Sequence, residues 1–343
     1  MIRKDIIIYI PKGESIAWSI DEDRKNAIQF LRMGGFKITN NIFKATHIYS
    51  VWLDSLLAKR LVWLLIKRIF RKKLIAVVTN DLSFDPKKIA LLAQLIDLAI
   101  VPSTKMFNLL ERYGINVKLI PFFVDSNVFR PVQIDKTKIC KKLLIDSKKL
   151  EGKLIFASFQ RDSLGSDLHK PKWQKNPDLL IEILKTFDQS KILLLLAGPR
   201  RHYIVSRCLS NDINFLYFGD SSYIEKWQDD LLINNHSSEV INLLYGLSDI
   251  YIVTSKAEGG PKAILECSLS KKLIFSTKVG FATDILHPEL IFEDKRTGDL
   301  IRKIDRYVEN PDEFRVYIDY NYNKVAALLT KERFLGLYQQ LFT

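Results

Sequence analysis

Short apolar, β-branched runs recur along the chain, separated by stretches whose apolar positions fall three and four apart. Ile6-Ile7-Ile8-Tyr9-Ile10 opens the series, followed by His47 to Val51, Leu74 to Val78, Leu98 to Val101 and Val117 to Ile120. Such runs read as strands and the stretches between them as helices, the first opened by a capping box over Ser19 to Glu22 and running through Leu31. Runs without polar alternation predict strands buried on both faces, and the β/α rhythm predicts a parallel sheet covered on both sides. The second half repeats this grammar. Strands are expected at Leu154 to Phe159, Lys191 to Ala197, Phe215 to Phe218 and Asp249 to Ser255, with helices at Pro177 to Phe187, capped by Asn176, and at Glu239 to Gly246. Residues 132–152 are rich in lysine and lack the strand pattern, so a linker is expected there. The fold class is α/β with two Rossmann-like domains, and the chain has neither a short-period repeat nor a low-complexity segment.

The run that ends at Ser255 leads into Glu258-Gly259-Gly260-Pro261-Lys262-Ala263-Ile264-Leu265-Glu266, two carboxylates eight positions apart across a loop-to-helix junction. Two glycines permit a sharp turn, and proline is tolerated at the start of a helix, here predicted over Pro261 to Leu269. A strand, glycine loop and helix in this order direct free backbone N–H groups and the positive end of the helix dipole at one spot, which suits a phosphate. Glu258 lies beside that spot, and Glu266, two turns along the helix, is placed for a polyhydroxy group on the same phosphate. A diphosphate with a sugar on each side would satisfy both carboxylates.

Glu258 and Glu266 at this spacing, followed by Lys272-Leu273-Ile274-Phe275-Ser276-Thr277-Lys278-Val279-Gly280, resemble the donor-sugar motif of the family-4 retaining glycosyltransferases. The family's usual Glu-Gly-Phe-Gly is replaced by Glu-Gly-Gly-Pro, which keeps the tight loop and removes the aromatic. Ile120-Pro121-Phe122-Phe123-Val124-Asp125, with Phe129-Arg130-Pro131, resembles the end of the family's first domain, so the likeness spans both halves. It implies the GT-B fold, two Rossmann-like domains facing a central cleft, divided as 1–131, a linker 132–152, a nucleotide-sugar domain 153–320 and a C-terminal helical segment 321–343 crossing back to the first domain. The resemblance further implies that Glu258 contacts the transferred sugar and Glu266 the ribose. Arg161 and Lys175 match the family's basic pair on the donor diphosphate, where cations stabilise charge that builds on the leaving group. Gly259, Gly260, Pro261, Lys262 and Ala263 form the donor loop. Gly13, in the Pro11 to Ser15 loop, and Gly198, at the Gly198-Pro199 stop, are further donor-binding candidates, as is Asn234, where the family holds the nucleobase. Thr79-Asn80-Asp81 stands in place of the family's His-Asp, leaving Asn80 to donate to the sugar and Asp81 to orient it or the acceptor hydroxyl. A retaining front-face reaction requires no side-chain base, because the donor phosphate oxygen can take the acceptor proton.

No Asp-x-Asp stands at a strand end and no His/Cys cluster occurs, so metal independence is expected, with no cofactor beyond a UDP- or GDP-sugar. Cys140, Cys208 and Cys267 are far apart and read as reduced thiols of a cytoplasmic protein. The net charge of +13 is unevenly spread, with 27 Lys and Arg against 13 Asp and Glu in residues 1–150 and 25 against 26 in the remainder. Its densest part, Lys59 to Lys73, holds seven cations and no acid around a Trp-, Phe- and Leu-rich interior. Residues 58–73 are therefore a candidate contact with an anionic membrane surface, equally readable as a core helix with a basic solvated face. Nucleic acid is a weaker partner because no binding signature accompanies the charge. The reading is a cytoplasmic enzyme, with the inner membrane face as a candidate site of attachment, moving a sugar from a nucleotide diphosphate to a saccharide or lipid-linked acceptor in cell-surface glycan synthesis. Trp18 and Trp52 are candidates to stack on an acceptor sugar, although aromatic core packing is the reading their type favours. A nucleotide-sugar epimerase on the same fold and a non-catalytic, polyanion- or membrane-binding relative are the alternatives.

Overall fold

A computed structural model describes residues 6–11 and 19–342; Gly13, the loop around it and Trp18 lie outside the described residues. Twelve strands among the described residues form two six-stranded sheets in which every pairing is parallel. The first comprises β1 (Ile7–Tyr9), β2 (Lys37–Thr39), β3 (His47–Ser50), β4 (Lys73–Val77), β5 (Leu98–Val101) and β6 (Val117–Leu119), in the order β2-β1-β3-β4-β5-β6. The second comprises β7 (Leu154–Ser158), β8 (Ile192–Ala197), β9 (Phe215–Phe218), β10 (Ile250–Val253), β11 (Leu273–Thr277) and β12 (Ile291–Phe292), in the order β12-β11-β10-β7-β8-β9. Both are doubly wound, and β8 shows why its run is so apolar: all six of its residues are buried. The family expectation of two Rossmann-like domains is met.

The chain divides into two compact units. Met1–Phe123, Glu258–Gly260 and Leu328–Thr343 form the first, and Val124–Ala257 with Pro261–Ala327 the second. Residues 132–152 carry a helix, Lys136–Leu143, capped by Asp135, whose Ile139 and Cys140 are buried within the second unit. The C-terminal helix Lys331–Gln339 belongs to the first unit, where it packs on the helix Ser19–Met33. The contact is aromatic: Phe30 lies 5.4 Å from Phe334 and 5.5 Å, stacked, from Tyr338 between ring centroids. Rings at these separations add about 0.5–1.5 kcal/mol per pair beyond the area they bury.

Local chemistry departs from expectation at four places. Residues 58–73 are not one helix. Leu53–Ala58 ends and Arg60–Phe70 begins around Lys59, and Arg71 closes the second helix in the left-handed region at φ 48°. Asn176 makes no side-chain cap; it sits at φ 48°, a conformation asparagine tolerates better than most residues. Pro261 is extended at φ −66°, ψ 109° and precedes the helix Lys262–Leu269 instead of forming its first residue. Lys72 is buried, its ammonium donating to the carbonyls of Phe43 and Ala45, so it ties the start of β4 to the turn Ile42–Lys44 and is not a surface charge.

Candidate active site

The second sheet reverses its order between β7 and β10, and ligands in open α/β sheets bind beyond the carboxyl ends of strands at such a reversal. Arg161 follows β7 and Glu258 follows β10. Their loops are laced together: Ser255 donates through Oγ to Gln160 Oε1 at 3.3 Å, and Lys256 N–H donates to the Gln174 carbonyl at 2.8 Å. Thr254 Oγ1 donates to the carbonyl of Lys175 at 3.0 Å. The fold thereby holds the loop of Arg161, the short turn Trp173–Lys175 and the backbone entering Glu258 as one framework. Arg201 braces it from below, paired with Asp162 at 2.7 Å and donating to the Gln160 carbonyl, both partners being almost wholly buried.

Burial and the neighbouring Arg200 push the Arg161 guanidinium down to about 10, with Asp229 acting in the opposite direction. It stays charged at neutral pH, but in surroundings that disfavour a cation, and an anionic ligand placed there relieves the penalty. Arg200 was not singled out from the sequence. It follows Gly198-Pro199 after β8, so the same rule of reading the residues after a strand would have found it. Its guanidinium is held by Asp229 at 2.9 and 2.7 Å in a bidentate pair. Gly198 itself has φ 90°, which turns the chain after β8, and its carbonyl accepts from Tyr217 at 3.1 Å.

Glu266 is half-buried on the helix Lys262–Leu269 and accepts a hydrogen bond from Tyr245 Oη at 3.1 Å. Burial, reinforced by Glu266, holds the Tyr245 phenol well above its ordinary range, so it stays a donor throughout the working pH range. Its ring packs edge-on against Phe129 and Phe159, which fixes the hydroxyl and, through it, the carboxylate. Gly259, Gly260 and Pro261 are buried, with Glu258, Lys262 and Ala263 half-buried around them.

Gly259 explains the small residue after Glu258. A Cβ there would stand 2.3 Å from the Thr79 carbonyl oxygen and 3.2 Å from the Asn80 nitrogen, so only glycine fits beside that backbone. Within the first unit the structure thus brings the Glu258–Gly260 segment against Thr79-Asn80. Asn80 is exposed and donates to Asp54 at 3.2 Å, while Asp54 also pairs with Lys88. Asp81 accepts from Ser83 N–H at 2.9 Å and Ser83 Oγ at 2.6 Å, and pairs with Lys105 at 2.6 Å. Its carboxylate is committed to holding the loop.

Asn234 is buried, accepting from Asp220 N–H at 2.7 Å and donating to Asp230 at 2.7 Å. Its side chain is used inside its own loop, so any contact with a base there falls to backbone groups. The three cysteines are free and buried. Among the described residues no group of three or more His, Cys, Asp and Glu side chains gathers as metal ligands, and no helix is long and apolar enough to cross a membrane.

Residues 168–325 match the family described as Glycosyl transferases group 1. No curated protein matches the chain in sequence. Among solved structures, Alr3699/HepE of Anabaena in complex with UDP-glucose is similar at 15% identity over 97% of either chain, with a TM-score of 0.67. A sucrose-phosphate synthase of Thermosynechococcus elongatus is similar at 14% identity over 99% of either chain, TM-score 0.71. An α,α-trehalose-phosphate synthase (UDP-forming) of Burkholderia vietnamiensis shares 12% identity over 93% of this chain and 74% of its own, TM-score 0.59. The likeness in fold runs through both sheets and gives the chain the GT-B fold, and the part similar to the glycosyl transferases group 1 carries Lys175, Arg200, Glu258 and Glu266.

Proposed function

We propose that the protein is a retaining, metal-independent hexosyltransferase whose donor is a UDP- or GDP-sugar and whose acceptor is a hydroxyl of a saccharide or lipid-linked glycan. The observation that carries this reading is the framework at the β7/β10 reversal, where hydrogen bonds join the loops of Arg161, Lys175 and Glu258 directly before the amino end of the helix Lys262–Leu269. In this reading Arg161 and Lys175 face the donor diphosphate and stabilise the charge that develops as the bond between sugar C1 and phosphate oxygen breaks. The acceptor oxygen bonds to C1 on the same face, and its proton passes to the departing phosphate oxygen. Glu266, oriented by Tyr245, holds the ribose diol, and Glu258 the hydroxyls of the transferred sugar. Asn80 lies at the same end of the β4 loop as the backbone that Gly259 touches, which supports a contact with the sugar. UDP-glucose is the first donor to test because HepE binds it. The setting is cell-surface glycan synthesis at a cytoplasmic membrane face, reached through the basic segment 58–73.

The test is thermal stabilisation and slow sugar release across a panel of nucleotide sugars, in EDTA and again with added Mg²⁺. One nucleotide sugar is expected to raise Tm and to be hydrolysed at equal rates in both. Stabilisation that requires Mg²⁺ would remove metal independence, and absence of any response would remove the donor site.

A further inference from the structure

The helix Arg60–Phe70 is apolar on two opposite faces. Trp63, Leu64 and Ile66 pack on the core of the first unit, which accounts for one face. The other consists of Leu61, Val62, Leu65 and Ile69, exposed at 67, 52, 59 and 66%. Leu61, Leu65 and Ile69 recur every four residues and form a stripe about 12 Å long at the α-helical rise. At the end of the helix, to the side of this stripe, Phe70 meets Phe43 of the neighbouring turn edge-on at 5.2 Å, both rings being exposed. An apolar helix face that packs on no core and forms a contiguous exposed patch marks an interaction surface.

The charges around the stripe identify the medium. Lys59 and Arg60 stand at one end and Arg68, Arg71 and Lys73 at the other, all exposed. Lys67 is withdrawn by its pair with Asp97 at 3.0 Å, and Lys72 is buried. No acid occurs between Asp54 and Asp81. An apolar stripe between two clusters of cations complements a layer whose interior is hydrocarbon and whose surface is anionic. A protein partner complementary to it would need an acidic rim around an apolar groove, whereas an anionic bilayer presents both properties over any area.

Resting on the reading of residues 58–73 as membrane-facing, we propose that Leu61, Val62, Leu65, Ile69, Phe70 and Phe43 insert into the acyl boundary of an anionic phospholipid bilayer, with the flanking cations at the headgroups. Binding is then held by penetration, not by charge alone.

The test uses the full chain and sedimentation with phosphatidylglycerol–phosphatidylcholine vesicles at about 1:3. Leu65→Ser with Ile69→Ser is expected to weaken partitioning by about tenfold or more while the donor-induced Tm shift is kept, since the lost apolar burial is large and both residues are exposed in the folded chain. Leu65→Trp is expected to be quenched by lipids brominated on the acyl chain. If the double serine variant binds as tightly as the parent and salt releases both, insertion is overturned and the electrostatic reading alone stands. Binding to no vesicle overturns both. Lipid-free self-association abolished by the same serines would assign the stripe to a second copy of this chain and also overturn the proposal. None of these outcomes alters the donor screen, so failure here is distinguishable from failure of the enzymatic reading.

Discussion

The loops at the β7/β10 reversal and the outer face of the helix Arg60–Phe70 treat charge in opposite ways. The half of the chain that holds the reversal has almost no net charge, yet it crowds Arg161 against Arg200 in partly buried surroundings and fixes the surrounding loops with hydrogen bonds. The first half carries all the excess, but two of the seven cations in Lys59 to Lys73 are drawn into structural contacts, and the remainder flank apolar side chains that stand exposed among the described residues. On the proposed reading the reversal serves a particular anion and the outer helix face a charged phase. Net charge by itself separates neither.

Substitutions at the reversal should have the largest effects if its cations act on a developing charge. Arg161→Ala is expected to lower kcat/KM by about 100- to 1000-fold, with Arg161→Lys recovering only part, as for loss of a preorganised charge contact. Steady-state kinetics with the donor found in the panel would show this, and a loss under threefold would remove Arg161 from the mechanism. Gly259→Ala comes next. Its methyl group would drive into Thr79-Asn80, with a cost of about 1–3 kcal/mol in overpacking, read as a lower Tm together with lower turnover. Unchanged values for both would mean that the close approach is dispensable. Glu266→Gln keeps the shape and removes the charge, and about a tenfold rise in donor KM with little change in kcat is expected for a residue that binds the ribose and takes no part in bond breaking. A fall in kcat at constant KM would instead place Glu266 at the reacting centre.

The smallest expected effect compares the units directly. Burial lowers the pKa of His236, in the second unit, and of His47, in the first, where Lys73 adds to the shift. Each folded histidine binds fewer protons than its unfolded counterpart as pH falls below 6.5, so the stability it contributes is full above that pH and is lost as pH falls through the folded-state pKa. Calorimetry at pH 8 and pH 5.5 should show a small loss at the lower pH, and His236→Gln and His47→Gln should each flatten the part belonging to its own unit. A variant with the parent's pH dependence would exclude that histidine.

What could be read from the residues follows from how buried each element is. β8 and β10 are continuous apolar runs because both faces are covered, and they are legible for that reason. β2 and β12 are edge strands of three and two residues, with Lys37 exposed, and so short a stretch sets no pattern. The glycine loop before Lys262 was legible from Gly259-Gly260, whereas the reason for Gly259, the backbone of Thr79-Asn80, lies 180 residues away in sequence and leaves no local sign. The inward turn of Lys72 was hidden in the same way, since its acceptors are the carbonyls of Phe43 and Ala45, which every residue possesses.

The packing of Phe334 and Tyr338 on Phe30 has a consequence for the order in which the protein is made. Residues 6–123 contain all six strands of the first sheet and Phe123, 5.0 Å from Phe30, and leave the ribosome early, but the rings of Phe334 and Tyr338 are not synthesised until residues 331–339. Until then the helix Ser19–Met33 shows an apolar face to the cell, as partly built domains do during synthesis. The unit begun first is therefore the one finished last.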